Sequence, residues 1–274
     1  MTTIAARRRF ETRPQRARRR SLTFEVSRAR SLRSTWVLLV LGAVAGATTL
    51  VSGSLADLTQ VEPSPADAIS VLTSATSGAS VVCGIFGALS AGHEYRYGLF
   101  GLSATLFPRR SDLLVGKVLG AMAFAVLTCS AALVVGLGAS WLTGKDHLVS
   151  AITSEPGTVL LASGRSIMVC IGYLLIGIAA AVMCRGVLGG VVVPLGMANI
   201  VEPVLALVVG RGGLWGYVLP FQDARRAVLV EGATLLDLGD GVVVTPSASL
   251  ACFAFAVAVT LSAAWASFIR QDVT

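Results

Sequence analysis

The chain has 274 residues, of which 54% are hydrophobic and only 14% are charged. Soluble domains carry about 25% charged residues, so this composition excludes an ordinary soluble protein and indicates an integral membrane protein. The formal net charge of +7 comes from arginines that precede the first long apolar run. Because they can contact anionic lipid head groups there, we expect membrane lipids and no nucleic acid as partners.

The first segment of the chain is strongly basic. Residues 1–21 are rich in arginine, which predicts a disordered basic tail on the cytoplasmic side. After it, Leu22, Val26 and Ala29 recur at helical spacing, which predicts an interfacial helix along the inner head groups. A positive flank with no fixed shape is the alternative. The charged residues of this segment are Glu25, Arg28, Arg30 and Arg33.

Six long apolar runs follow, each close to the roughly 20 residues that a helix needs to cross about 30 Å of hydrocarbon. They predict one all-α transmembrane domain over residues 22–274, with six transmembrane helices. The runs are Trp36–Ala56, Ala68–Ala91, Val118–Leu142, Ser166–Met183, Val187–Pro203 and Pro246–Phe268.

The basic residues between these runs predict the orientation of the helices. Most of the 22 lysines and arginines fall on the same side of the membrane as the N-terminal segment. Since cationic loops stay in the cytoplasm, both ends of the chain are predicted to be cytoplasmic. The five cysteines lie within or at the ends of the apolar runs, and the two histidines stand alone. We therefore expect buried thiols and no metal site.

The segment between the second and third runs is the most distinctive cytoplasmic stretch. An amphipathic stretch from Leu99 to Phe107 is bounded by Gly98 and Pro108, and charged residues flank it on both sides. This pattern predicts a short helix held between two spans, which suits contact with a cytoplasmic partner. From the residues alone, an ordinary cytoplasmic loop explains the pattern equally well.

Both cytoplasmic segments carry motifs that resemble those of the permease subunits of ABC-2 type exporters, particularly the small actinobacterial members. The match covers most of the chain, although Ala29 and Leu99 depart from the residues usual in that family. In the first segment it rests on Glu25, Arg28, Arg30, Ser31, Arg33, Ser34, Thr35 and Trp36. In the second it rests on Glu94, Tyr95, Arg96, Gly98, Pro108, Arg109, Arg110, Gly116 and Lys117.

The resemblance implies a permease in a bacterial plasma membrane that forms the path for an exported cargo. Two copies of a separate ABC ATPase would drive it, and a second permease, either identical or homologous, would complete the path. ATP and Mg would bind to the ATPase, with no cofactor on this chain. Coupling would run through the 92–117 loop. The residues implied in this coupling are Glu94, Tyr95, Arg96, Gly98, Pro108, Arg109 and Arg110.

The sequence is compatible with this division of labour. It contains no Gly-x-x-x-x-Gly-Lys-Ser/Thr motif, which a P-loop ATPase uses to hold phosphates, so we expect no enzymatic activity on this chain. The alternative function is a non-transporting immunity or scaffold subunit that binds a cytoplasmic partner through the same loop.

The fifth run ends ambiguously. Apolar sequence continues through residues 204–209 and 214–221, which predicts an outer re-entrant helical hairpin between helices five and six, as the resemblance also implies. Asn199 and Glu202 would then lie near the outer mouth and line the exit path. The alternatives are a deeper span that ends near Val209 and buries Glu202, or polar helix ends that touch no cargo.

Overall fold

A computed structural model describes residues 23–24, 26–56, 65–97, 110–142, 150, 153–209, 219–230 and 245–270. In this part of the chain the secondary structure is helical and no strand is present. The helices are α1 (Arg33–Ala56), α2 (Pro65–Arg96), α3 (Arg110–Leu142), α4 (Pro156–Met183), α5 (Val187–Gly196), a π-helical turn (Met197–Val201), α6 (Glu202–Val209), α7 (Pro220–Ala227) and α8 (Pro246–Arg270).

Five stretches of the described helices are long and apolar enough to cross a membrane, so the chain has the architecture of a multi-pass membrane protein. They are Ile69–Arg96, Val115–Ala139, Pro156–Met183, Val187–Leu205 and Pro246–Phe268. They correspond to the second to sixth predicted runs. The first predicted run lies within α1, which is helical over 24 residues. That α1 crosses the membrane, and that both chain ends are cytoplasmic, stay predictions.

Helices α2 and α3 extend beyond the apolar runs that predicted them. Helix α2 has 32 residues and α3 has 33, so at about 1.5 Å per residue each is nearly 50 Å long, well over the hydrocarbon thickness. The extra turns end at Arg96 and begin at Arg110. The segment predicted to bind a partner therefore begins and ends on helical extensions, while residues 98–109 lie outside the described part.

Helix α2 lies at the centre of the bundle and contacts α1, α3, α4 and α5. Its closest neighbour is α4. A Cβ atom on Gly87 would meet the carbonyl oxygen of Leu174, and one on Gly177 would meet the carbonyl oxygen of Gly84. Small residues of the second apolar run therefore lie at a helix contact, as small side chains in membrane helices favour. On the α3 side, the rings of Phe86 and Phe124 stack with centroids 3.8 Å apart.

Large apolar side chains also cover the outer surface of the bundle. Val40, Leu127, Val134, Leu160 and Phe255 are all more than half exposed. Such a surface is unfavourable in water and is what a lipid-facing surface requires. Among the cysteines, Cys83, Cys129 and Cys170 are buried free thiols, as the sequence predicted, whereas Cys184 is exposed and Cys252 is intermediate.

The fifth span is longer than the sequence predicted. Its helix passes Pro194, widens into the π-helical turn and continues as α6 to Val209, with no break at Pro203. Proline lacks an amide proton and its ring crowds the preceding turn, so a local π-bulge is a common way to keep the helix continuous. Residues 204–209 are thus part of the same continuous helix. The re-entrant hairpin stays a prediction because residues 210–218 lie outside the described part.

Candidate functional sites: a charged junction and a polar cavity

Three charged side chains meet where α2 ends and α3 begins, and we call this cluster the charged junction. Lys117 Nζ lies 2.7 Å from Glu94 Oε1, and Arg28 Nη1 lies 3.2 Å from the same oxygen. Lys117 also donates to the carbonyl oxygen of Ser90 at 3.0 Å. Glu94 and Lys117 are only 3% and 4% exposed. A buried pair of this kind needs both partners, because either charge alone would lack compensation.

The junction ties the N-terminal segment to the transmembrane bundle. Residues 26–31 are helical, as the spacing predicted, and the helix breaks at Leu32 before α1 begins. Arg28 reaches Glu94 from this short helix, and the side chain of Arg28 remains 26% exposed. Arg30 and Arg33 are exposed. That this helix lies at a membrane surface stays a prediction.

The structure separates the residues that the resemblance assigned to coupling. Glu94 points into the junction, and Tyr95 is half-buried and packs against the core of the bundle. Arg96 is exposed, with its guanidinium 5.7 Å from the ring centroid of Tyr97. Arg110 begins α3. The remaining candidates, Glu25, Gly98, Pro108 and Arg109, lie outside the described residues.

A second site lies nearer the opposite end of the bundle. A cavity of about 540 Å³, which we call the polar cavity, opens between α2, α4, the π-helical turn and α7. Ser77 of α2 is 17 residues from Glu94, so the cavity is roughly 25 Å from the junction along the helix. Its polar lining residues are Ser74, Thr76, Ser77, Ser80, Tyr173, Asn199, Arg225 and Arg226.

The two predicted exit-path residues have different places. Asn199 is exposed and lines the polar cavity. Glu202 is 1% exposed and is absent from the lining. Its carboxylate accepts hydrogen bonds from the backbone amides of Phe221 at 3.0 Å and Gln222 at 2.8 Å. Glu202 thus accepts the hydrogen bonds of backbone amides in the first turn of α7, which have no partner within the helix and where a helix favours negative charge.

Sequence reasoning missed most of the polar cavity. On α2 the hydroxyl side chains of Ser74, Ser77 and Ser80 recur every three residues and so share a helix face. That spacing within an apolar run is a signal that could have been read. The contribution of Arg225 and Arg226 could not be predicted from the sequence, since it depends on how α7 folds back against the bundle.

Replacing Asp223 by asparagine is expected to remove a pH dependence of stability. Asp223 is fully buried, and its carboxylate lies 3.7 Å from the guanidinium group of Arg226. Burial raises the pKa of this carboxyl from 3.8 to about 6, although Arg226 opposes the shift. Between these values the folded protein holds a proton that the unfolded chain has lost. The stabilisation is therefore complete below pH 3.8 and is lost as the pH rises to about 6.

The measurement is thermal unfolding of both proteins in detergent between pH 4 and pH 8. The free energy of unfolding of Asp223→Asn relative to the wild type should rise with pH and level off above about pH 6, after a total change on the order of 1–3 kcal/mol. Glu155→Gln, at an exposed carboxylate, is the control and should track the wild type. An Asp223→Asn protein whose stability changes with pH as that of the wild type does would contradict the prediction.

Among the described residues, no cluster of histidine, cysteine, aspartate or glutamate side chains has the arrangement of a metal site. No protein-family model matches the chain, and no curated protein matches it. The assignment of a function therefore depends on the charged junction, the polar cavity and the motif resemblance.

Proposed function

We propose that the chain is the membrane-spanning permease of an ATP-driven exporter of the ABC-2 type, which works with a separate ATPase. The observation that carries the proposal is the charged junction. It joins the N-terminal helix, the end of α2 and the start of α3 through Arg28, Glu94 and Lys117. These three elements carry the two motif segments. A displacement of residues 98–109 by a partner would therefore be transmitted to both α2 and α3.

The depth of the junction supports transmission rather than direct contact as the role of Glu94. A carboxylate that is 3% exposed cannot form a surface contact with another protein. Arg96, in the last turn of the same helix, is exposed. In this mechanism Arg96 meets the ATPase, while Glu94 keeps the helix ends in register. Charges at the rim of an interface govern encounter and register more than affinity.

The polar cavity supplies the second element that a transporter needs. Its walls come from α2, which ends at the junction, and from α4, the closest neighbour of α2. A displacement of α2 would therefore change the shape of the cavity. A scaffold or immunity subunit has no use for such a cavity, so the cavity favours a transporter.

Reversing the charge of Arg96 tests this function. The chain would be purified from its native membranes together with bound proteins, and a P-loop ATPase is expected among them. Arg96→Glu should lower the amount of that ATPase or its turnover about tenfold, because a repulsive rim charge costs on the order of 1 kcal/mol or more. The variant protein should remain folded and inserted in the membrane.

The matched control is Glu155→Arg, which reverses an exposed charge at the start of α4. This end of α4 packs beside the start of α2, since Ala162 and Ile69 share a hydrophobic cluster, so it is remote from the junction. An equal loss in both variants, or the absence of any ATPase from the wild-type preparation, would overturn the proposed function.

A further inference from the structure

We propose that the polar cavity binds the anionic head group, a phosphate or a carboxylate, of an amphiphilic molecule. The inference rests on the proposed function only for the role of that molecule as cargo. The binding itself follows from the charges, hydrogen bonds and shape of the cavity.

Positive charge in the lining comes from consecutive residues of α7. Arg225 is exposed, and its Nη2 lies 3.5 Å from the carbonyl oxygen of Ala198, at the limit of a hydrogen bond. The ion pairs of the described residues do not include Arg225. Arg226 lies 3.7 Å from the carboxylate of Asp223. Guanidinium groups bind phosphate and carboxylate through paired hydrogen bonds, so an anion suits these two residues.

Two carboxylates lie close to these arginines but do not line the cavity. Glu202 is held by the backbone amides at the start of α7, and Asp223 is fully buried on the same helix. Asp223 offsets part of the charge of Arg226, and Arg225 lies within electrostatic reach of Glu202. An anion inside the cavity would therefore be held chiefly by the exposed guanidinium group of Arg225.

The remaining walls suit the rest of an amphiphile. Ser74, Ser77 and Ser80 donate their hydroxyl protons to carbonyl oxygens of their own helix at 2.6–2.7 Å. Their oxygens are left as acceptors, which suits a polar linker that carries hydroxyl groups. Val169 and Val228 add apolar surface. A volume of about 540 Å³ holds a head group and part of a chain but not a polymer.

The experiment measures binding of dioctanoyl phosphatidic acid to the full chain in a neutral detergent. The wild type should bind, and Arg225→Gln should raise the Kd about tenfold, as loss of one charge-assisted interaction predicts. Arg225→Lys keeps the charge and should recover part of the affinity. Ser77→Leu, which places a bulky apolar side chain in the cavity, should weaken binding without changing the charge.

Two further probes distinguish the source of the anion. Dioctanoylglycerol has the same chains without the phosphate and should bind far more weakly; equal binding would overturn the inference. Inorganic phosphate alone should compete weakly; if it binds as tightly as the lipid, the site holds a free anion and the amphiphile is excluded. Unchanged lipid affinity in Arg225→Gln would overturn the proposal.

The outcome is separable from that of the proposed function. Recovery of the ATPase is scored on the same preparations. Lipid binding without an ATPase partner would overturn the exporter and leave the binding site in place. An ATPase partner without lipid binding would overturn only the present inference.

Discussion

Replacing Lys117 by methionine should strongly destabilise the protein. Glu94 would keep only Arg28 at 3.2 Å, and it would lose the ammonium group at 2.7 Å. Breaking a buried ion pair by removing one partner costs about 3–5 kcal/mol, because a buried charge remains uncompensated. With Arg28 still in place, we expect about 3 kcal/mol.

The readout is the unfolding temperature in detergent, which should fall by roughly 6–12 °C. The double variant Glu94→Gln with Lys117→Met removes both buried charges and should recover much of the loss. Arg28 then loses its partner as well, but its side chain is 26% exposed and can be hydrated. Arg96→Gln is the matched control, because Arg96 is an exposed cation one turn or less from Glu94. A double variant no more stable than Lys117→Met would show that the pair does not act as a unit.

The burial of Glu94 means that a charge change there affects the fold as well as any coupling to a partner. A charge reversal at Glu94 would leave two cations facing a third in a buried site and would damage the fold before any partner is involved. Arg96 is exposed, so a reversal of its charge places no additional charge in the buried site. Loss of transport in a Glu94 variant is therefore weak support for a partner contact, whereas loss in Arg96→Glu is strong support.

The amino-acid sequence predicted the helical architecture well because hydrophobic length is a local property. Runs two to six coincide with long apolar helices. The boundaries were less accurate. Helices α2 and α3 continue through polar residues up to Arg96 and from Arg110, where backbone hydrogen bonds extend the helix although the apolar pattern has ended.

The candidate sites were harder to predict because they depend on contacts between distant residues. Glu94 was identified from its motif, but its partner Arg28 is 66 positions away, and no spacing rule joins them. Glu202 was predicted to line an exit path, with burial in a deeper span as the alternative. The structure buries its carboxylate against α7 through bonds to residues 19 and 20 positions later. Periodicity identifies the face of a helix, but it does not identify the element that packs there.

Replacing Gly177 by valine should prevent α2 and α4 from packing. A Cβ atom at Gly177 would meet the carbonyl oxygen of Gly84, and a Cβ atom at Gly87 would meet that of Leu174. Because these obstacles are backbone atoms, no side-chain rotation relieves the overlap, and the helices must separate. Overpacking costs roughly 1–3 kcal/mol even where side chains can adjust, so we expect a loss of more than about 3 kcal/mol here.

Gly164→Val is the matched control, since it introduces the same residue into the same helix at a site where a Cβ atom has no neighbour within 4 Å. The measurements are the yield of monodisperse protein in detergent and its unfolding temperature. Gly177→Val should give little folded protein, while Gly164→Val should resemble the wild type. Gly177→Ala should fall between them, because one methyl group forces the smallest separation. Equal behaviour of the two valine variants would show that α2 and α4 are not in close contact, and the polar cavity that they help to form would then lose one of its walls.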